Sequence, residues 1–291
     1  GPSGSGKTTL LDLIGGRKTL SVGRQEGDII VDGVLTRAGD RGGSSSAGTA
    51  YVMQDNVHHS ALTVRQTLAF AAKLRMSCSA TARDRKRRVT SMVTMLGLEG
   101  ILDTKVGSES KRGISGGEMK RLSIAVEAMD LPGLLLLDEP TSGLDAPTAL
   151  EVLTGVRGLA DLGRTVVVSL HQPSAEMFDL FDTCLLLTRG GSQAYCGRAD
   201  GAMAYFASIR IPPPLGADTN PADFLLSIAS FALPPAEDTQ SPFSAGIAAA
   251  TTTDDAPAVG ISSSGGSGGS EGDGSGGIAL DLRVGHVGRD M

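Results

Sequence analysis

Eight residues at the start of the chain, Gly1-Pro2-Ser3-Gly4-Ser5-Gly6-Lys7-Thr8, fit G-x-x-x-x-G-K-[ST] at every fixed position. The chemistry this spacing can do is to hold a phosphate chain. Its glycines let the backbone curl until successive N–H groups face inward at phosphate oxygens. The helix expected next adds the partial positive charge of its N-terminus. Lys7 supplies a full charge to β- and γ-phosphates, and Thr8 offers a hydroxyl to Mg²⁺. Gly1, Ser3, Gly4, Ser5, Gly6, Lys7, Thr8 and the adjoining Thr9 are therefore the expected nucleotide contacts. A plain glycine-rich turn before an ordinary helix would leave Lys7-Thr8 unexplained.

A second constellation begins with the apolar run Leu134-Leu135-Leu136-Leu137 and ends in Asp138-Glu139. Two acids at a buried strand's end could merely be solvated. Downstream of a phosphate-binding loop they fit hydrolysis better: Asp138 to hold Mg²⁺, directly or through water, and Glu139 to polarise the attacking water as general base. His171 closes another apolar run, Val166-Val167-Val168-Ser169-Leu170. A lone histidine there reads as a satisfied boundary residue until its context is considered.

The elements that must position these groups follow from periodicity. Residues 1–16 read as a glycine-rich loop and a helix. Asp28–Gly33 reads as a short strand ending in a turn, Arg37–Gly48 as a Gly/Ser-rich loop, and Tyr51–Gln54 as a buried strand ending in a polar residue. Thr63-Val64-Arg65-Gln66 is a capping box, opening a helix expected to put Val64, Leu68, Ala71 and Leu74 on one face. The basic run Arg83–Arg88 follows, expected as a solvated face, with a second helix after it at Val89–Leu96. Uninterrupted runs at Leu134–Leu137 and Thr165–Leu170 suit strands buried on both faces of a mainly parallel sheet. Both carry polar residues at the carboxyl end, where open α/β sheets bind ligands. With Pro147–Leu162 helical in pattern, the middle of the chain reads strand–helix–strand, an α/β signature.

Composition bounds the alternatives. A net charge of −6 with pI near 5.3 argues against a chain-wide nucleic-acid surface, and 3% aromatics without tryptophan argues against a base-stacking platform. Cys78, Cys184 and Cys196 have neither metal-ligand nor redox spacing and read as reduced thiols. The four histidines form no i,i+4 metal pair. No run approaches the ~18 apolar residues of a membrane span. From about Leu233 the chain turns to Ala, Gly, Ser, Thr and Asp, with Ser262–Gly277 nearly all Ser and Gly. Such a stretch buries too little apolar surface to offset its ordering entropy and is expected to be a disordered linker or tail.

Ile114-Ser115-Gly116-Gly117-Glu118-Met119-Lys120-Arg121 resembles the signature motif of ATP-binding cassettes, and lies shortly before the Asp138-Glu139 strand as in that family. Thr141-Ser142-Gly143-Leu144-Asp145 looks like its D-loop, Gln54 like the Q-loop glutamine and His171 like the switch histidine. All six elements stand in the family's order. Finer features resemble the G subfamily of half-transporters: Glu118 followed by Lys120-Arg121 and Ser123-Ile124-Ala125, Leu62-Thr63-Val64-Arg65, His171-Gln172-Pro173-Ser174 and Asn220-Pro221-Ala222-Asp223-Phe224.

The resemblance covers roughly residues 1–230. It implies an α/β fold, a P-loop NTPase of the ABC ATPase type with a mostly parallel core sheet and a helical subdomain carrying the signature motif. It divides the chain into a nucleotide-binding domain at 1–232, lacking the family's first strand and adenine-stacking aromatic, and the linker or tail at 233–291. ATP and Mg²⁺ are the implied ligands. Glu139, His171 and Gln54 are implied in catalysis, and Thr8, Gln54 and Asp138 in holding the metal. Ser115, Gly116, Gly117, Glu118 and Asp145 are implied nucleotide contacts, the signature residues acting on the nucleotide of a second cassette in a homo- or heterodimer. The family places such a domain at the cytosolic face of a membrane, powering export through a transmembrane domain expected to lie outside this chain, with no nucleic-acid partner. Two alternatives remain open at this point: a soluble ABC ATPase, and a truncated cassette without transport activity.

Overall fold

The computed structural model describes residues 1–17, 29–31, 34–36, 48–108, 113–211, 220–230, 259–260 and 280–282. The chain divides into two units: Gly1–Ser46 with Asp182–Thr219 and Phe224–Met291, and a central unit of Ala47–Phe181 with Asn220–Asp223.

The N-terminal segment of the first unit contributes α1 (Lys7–Ile14), β1 (Ile29–Val31) and β2 (Val34–Thr36). Helix α1 buries Leu11 and Ile14 and ends at Gly15. Strands β1 and β2 pair antiparallel, Ile30 opposite Leu35.

The central unit runs β3 (Thr49–Val52), α2 (Val64–Arg75), α3 (Ala82–Met95), a single 3₁₀ turn at Glu99–Ile101, α4 (Gly116–Glu127), β4 (Leu134–Asp138), α5 (Ala146–Asp161), β5 (Thr165–Ser169) and α6 (Ala175–Phe178). Its sheet has the order β3-β4-β5. Both pairings are parallel, with Val52 opposite Leu137 and Asp138 opposite Ser169. All five residues of β4 are buried, which explains a strand without polar alternation: both of its faces meet apolar side chains. Leu135 and Leu137 join a core with Leu68, Met92, Leu96, Leu122, Ile124 and Val156. Each such leucine contributes about 1.5–3 kcal/mol by leaving water. On β5 the three valines are only half-buried and Ser169 is the buried residue, so the expectation of burial on both faces holds for β4 and not for β5.

Two further local expectations are corrected. Leu74 is 68% exposed. The buried face of α2 is Val64, Leu68, Ala71 and Ala72, because at 100° per residue position 74 has rotated off the stripe that 68, 71 and 72 define. The basic run Arg83–Arg88 does not precede a helix but forms the first half of α3. The start signal is Thr81, whose hydroxyl accepts from Asp84 N while the Asp84 carboxylate accepts from Thr81 N, a capping box with aspartate at its third position.

The chain then adds to the first unit β6 (Thr183–Leu187), β7 (Gln193–Arg198) and α7 (Ala202–Ser208). Strands β6 and β7 pair antiparallel. Helix α8 (Pro221–Ser230) begins in the central unit and continues in the first. Tyr195, Tyr205, Phe206 and Phe224 pack as an aromatic cluster in the first unit, neighbouring ring centroids 5.1–6.4 Å apart. Within the stretch expected as linker, β8 (Val259–Gly260) and β9 (Leu280–Leu282) are short strands, β9 lying parallel to β1. The rest of 231–291 and the Gly/Ser-rich stretch at 37–47 lie outside the described residues.

Candidate functional site

The loop Gly1–Gly6 owes its path to two glycines in the left-handed region, Gly4 at φ 77° and Gly6 at φ 84°, a conformation that strains any residue with a Cβ. Ser5 N closes a turn onto Pro2 O at 3.3 Å, and the first helical bond of α1 runs from Leu10 N to Gly6 O at 2.9 Å. Gly6 caps α1 without a side chain, so the helix dipole opens onto the loop backbone alone. The Lys7 ammonium is folded across that backbone, donating to Gly1 O at 2.9 Å and Pro2 O at 3.0 Å. Ser5 is 1% exposed and its Oγ has no partner among the described residues. Thr8 and Thr9 are exposed. An electropositive cradle of backbone N–H groups, the Lys7 ammonium and adjacent hydroxyls fits a polyphosphate.

In the central unit the chemistry gathers at the carboxyl end of β4. Asp138 is 4% exposed. The Ser169 hydroxyl donates to Asp138 Oδ1 at 2.7 Å and accepts the backbone N–H of Glu139 at 2.8 Å. One serine thus fixes both acids: it bonds the side chain of the first and the backbone of the second. Glu139 sits at φ 44°, a costly conformation for a residue with a Cβ and more so before Pro140, held here by the serine bond. Its carboxylate accepts from Gln54 Nε2 at 3.3 Å, and the same amide lies 3.4 Å from Ser142 Oγ. Gln54, Asp138, Glu139 and Ser142 therefore form one cluster at the sheet end. A single buried carboxylate beside hydroxyls suits Mg²⁺, which keeps most of its waters and takes one or two protein oxygens plus substrate phosphates.

The remaining expected residues have distinct surroundings. His171 is exposed in the loop after β5 and makes no hydrogen bond among the described residues. That loop is secured two residues on, where Asn220 Nδ2 donates to Pro173 O at 3.0 Å while its Oδ1 accepts Ala222 N at 3.0 Å. Ser115 is the N-cap of α4: its hydroxyl accepts from Glu118 N at 3.3 Å, and the Glu118 carboxylate accepts from Ser115 N at 2.7 Å. Glu118, expected as a nucleotide contact, thus spends its carboxylate on its own helix. Gly117 lets α4 approach α5, since a Cβ there would fall 2.2 Å from the Thr148 methyl. Asp145 precedes α5, is exposed, and makes no capping bond to it.

Reasoning from residue types missed Ser169, Ser142 and Lys120. Ser169 lies within an apolar run, and only the strand register sets it opposite Asp138. Lys120 lies within the signature motif, is 3% exposed and donates to Gln54 O at 2.7 Å. Its signal was available: Gly117, Lys120 and Ile124 repeat at helical spacing on the buried face of α4.

Comparison with known proteins bears on the same residues. A family model for ABC transporters matches residues 1–142, and one for ABC-2 type transporters matches 171–241. No helix among the described residues is long and apolar enough to cross a membrane. The chain is 44% identical over 230 residues to ABC transporter G family member 26 of Arabidopsis thaliana, covering 79% of this chain and 32% of that protein. It is 40% identical over 230 residues to the broad substrate specificity ATP-binding cassette transporter ABCG2 of Bos taurus, covering 78% and 33%. To ABC transporter G family member 24 of Dictyostelium discoideum it is 38% identical over 240 residues, covering 78% and 20%. The chain thus spans about a third or less of the length of these relatives. A phosphate-binding loop before α1, an acid pair held at the end of a parallel β4, a signature sequence opening α4 and these matches together place the chain in the ABC transporter family, in its G-family branch.

Proposed function

We propose that this chain binds Mg²⁺-ATP and hydrolyses it as the nucleotide-binding domain of a G-type ABC half-transporter, powering export across a membrane at whose cytosolic face it lies. The observation that carries the hydrolytic part is the sheet-end cluster, in which Ser169 holds Asp138 and Glu139 and Gln54 reaches the Glu139 carboxylate. Matches to G-family relatives support the transport part; they favour it over a soluble ABC ATPase.

In this reading the backbone N–H groups of Ser3–Thr9 and the Lys7 ammonium hold the phosphates, and Thr8 and Asp138, with Gln54, hold the metal. Mg²⁺ would supply neutralisation of the charge on the phosphates. Glu139 accepts a proton from the attacking water as general base. The Gln54 amide orients the Glu139 carboxylate, and His171 reaches the γ-phosphate region from its exposed loop. Ser115, Gly116 and Gly117 face the nucleotide of a second cassette, identical or different, packed head to tail, and Asp145 is a further nucleotide contact. Positioning and charge neutralisation then carry the rate, as phosphoryl transfer asks little covalent chemistry of a protein. Coupling runs to a membrane domain supplied by the whole transporter, and no nucleic-acid partner is involved.

The test is Glu139→Gln. The substitution removes the base and leaves every phosphate contact. Hydrolysis should fall about 10²–10⁴-fold while ATP is retained and dimer accumulates, read by light scattering at saturating Mg²⁺-ATP. Unchanged turnover in this variant would sink the assignment, and a monomer under those conditions would count against the head-to-tail dimer.

A further inference from the structure

Helix α4 presents two polar side chains, one turn apart, to the loop that follows β3. Lys120 donates Nζ to Gln54 O at 2.7 Å. The Ser123 hydroxyl, in a residue 8% exposed, lies 2.8 Å from Asn56 Oδ1 and 3.0 Å from Met119 O, between which its one proton is shared, and His58 Nε2 bonds the Ser123 Oγ at 2.7 Å. Lys120 and Ser123 thus grip a five-residue segment, Gln54–His58, at both of its ends.

A lysine is an expensive way to make this contact. Charged side chains are almost never fully buried unless paired, and an apolar side chain of similar volume is often neutral or better for the fold. Lys120 is nevertheless 3% exposed, and the other buried residues of α4 are Gly117, Leu122, Ser123, Ile124 and Ala125, none of them charged. Burial lowers its pKa, and the carboxylates of Asp55 and Asp138 oppose that shift. What the ammonium gives in return is position. The carbonyl it holds belongs to Gln54, and the side chain of Gln54 reaches the Glu139 carboxylate. The helix it stands on begins at Ser115, the cap that opens the signature sequence.

We propose that Lys120 is a positioning residue for hydrolysis, locking the backbone of Gln54 to the signature helix so that the Gln54 amide meets Glu139, with the Ser123–Asn56–His58 contacts as the second tie. This rests on the reading of Glu139 and Gln54 given above. Its consequence is that the Q-loop and α4 move as one body. The groups that orient the base of one site are then mechanically tied to the groups that face the nucleotide of the other.

The experiment uses the full chain with Lys120→Met, Lys120→Arg and Ser123→Ala, beside Glu139→Gln as reference. Lys120→Met should lower kcat about tenfold or more while KM for ATP changes less than about threefold, the pattern of an interaction needed in the transition state. Backbone amides of residues 54–58 should exchange about tenfold faster, as a loop freed from its tie opens locally, with the melting temperature kept or raised. Lys120→Arg should recover part of the rate, and Ser123→Ala should speed exchange at 56–58 with a loss of about two- to threefold in kcat. If Glu139→Gln still turns over, the hydrolytic reading fails whatever Lys120 does. If Glu139→Gln is inactive but Lys120→Met keeps wild-type kcat and exchange, the positioning inference alone is overturned. Should Lys120→Met not fold, unchanged exchange at 56–58 in Ser123→Ala overturns it instead.

Discussion

The two candidate centres are built in opposite ways. The phosphate-binding loop is a matter of backbone. Within Gly1–Lys7, two left-handed glycines and one ammonium make a cradle from consecutive residues. The centre at the end of β4 is a matter of side chains drawn from across the central unit: Gln54, Lys120, Asp138, Glu139, Ser142 and Ser169 span 116 positions of sequence and meet through strand register and helix packing. The first needs its local conformation and the backbone at Leu187, which Gly1 approaches too closely for a Cβ. The second needs the parallel sheet, the seat of α4 and a strained Glu139. A substitution in the loop should therefore act on affinity, and one at the sheet end on turnover.

The largest effect that would sharpen this contrast is Lys7→Ala. The variant deletes the one full charge in the cradle and leaves the glycine path intact. A charge-assisted contact to a phosphate is worth about 1.5–3 kcal/mol, so nucleotide affinity should drop by roughly 10–100-fold with the fold unchanged, measured by equilibrium binding of ATP. Normal affinity in a folded Lys7→Ala would mean that the backbone alone holds the ligand.

Ser169→Ala should act in the other sense. It takes the donor from Asp138 and the acceptor from Glu139 N, leaving a half-buried N–H without its partner at a residue already at φ 44°. An unmade bond of this kind costs about 1–3 kcal/mol. The expected result is a kcat lower by about tenfold, ATP affinity nearly unchanged, and a lower melting temperature. An affinity loss as large as that of Lys7→Ala would erase the distinction between the two centres.

The same contrast decides how much could be read in advance. The loop was legible because its residues are consecutive and each type has one role. So were Asp138 and Glu139, which sit together at the end of an unbroken apolar run. The α/β character and the parallel sheet followed from such runs. Ser169 was not legible: only its place opposite Asp138 brings its hydroxyl to the acid pair, and register is set by tertiary pairing. Leu74 and the start of α3 depart from the sequence pattern for smaller reasons, a phase drift along α2 and a capping box with aspartate in place of glutamate or glutamine. Lys120 sits inside a motif whose neighbours the family resemblance accounts for, and its burial follows only from the helical phase of α4.

Glu118 gives the finest division between the two kinds of centre, and the smallest expected effect. Resemblance put it among the nucleotide contacts, whereas its carboxylate accepts from Ser115 N at 2.7 Å. As the third residue of a capping box it satisfies an otherwise unpaired N–H. Its negative charge suits the helix N-terminus but repels a phosphate brought to the same place. Glutamine keeps the acceptor and loses the charge. Glu118→Gln should therefore change stability by less than about 0.5 kcal/mol, while Glu118→Ala, which removes the acceptor, should cost about 0.5–1 kcal/mol, both read by denaturant unfolding. Nucleotide affinity should stay within about twofold in the glutamine variant if the side chain serves the helix. A tenfold change with stability unaltered would return Glu118 to the ligand, and would mean that the cap opens when the second cassette arrives.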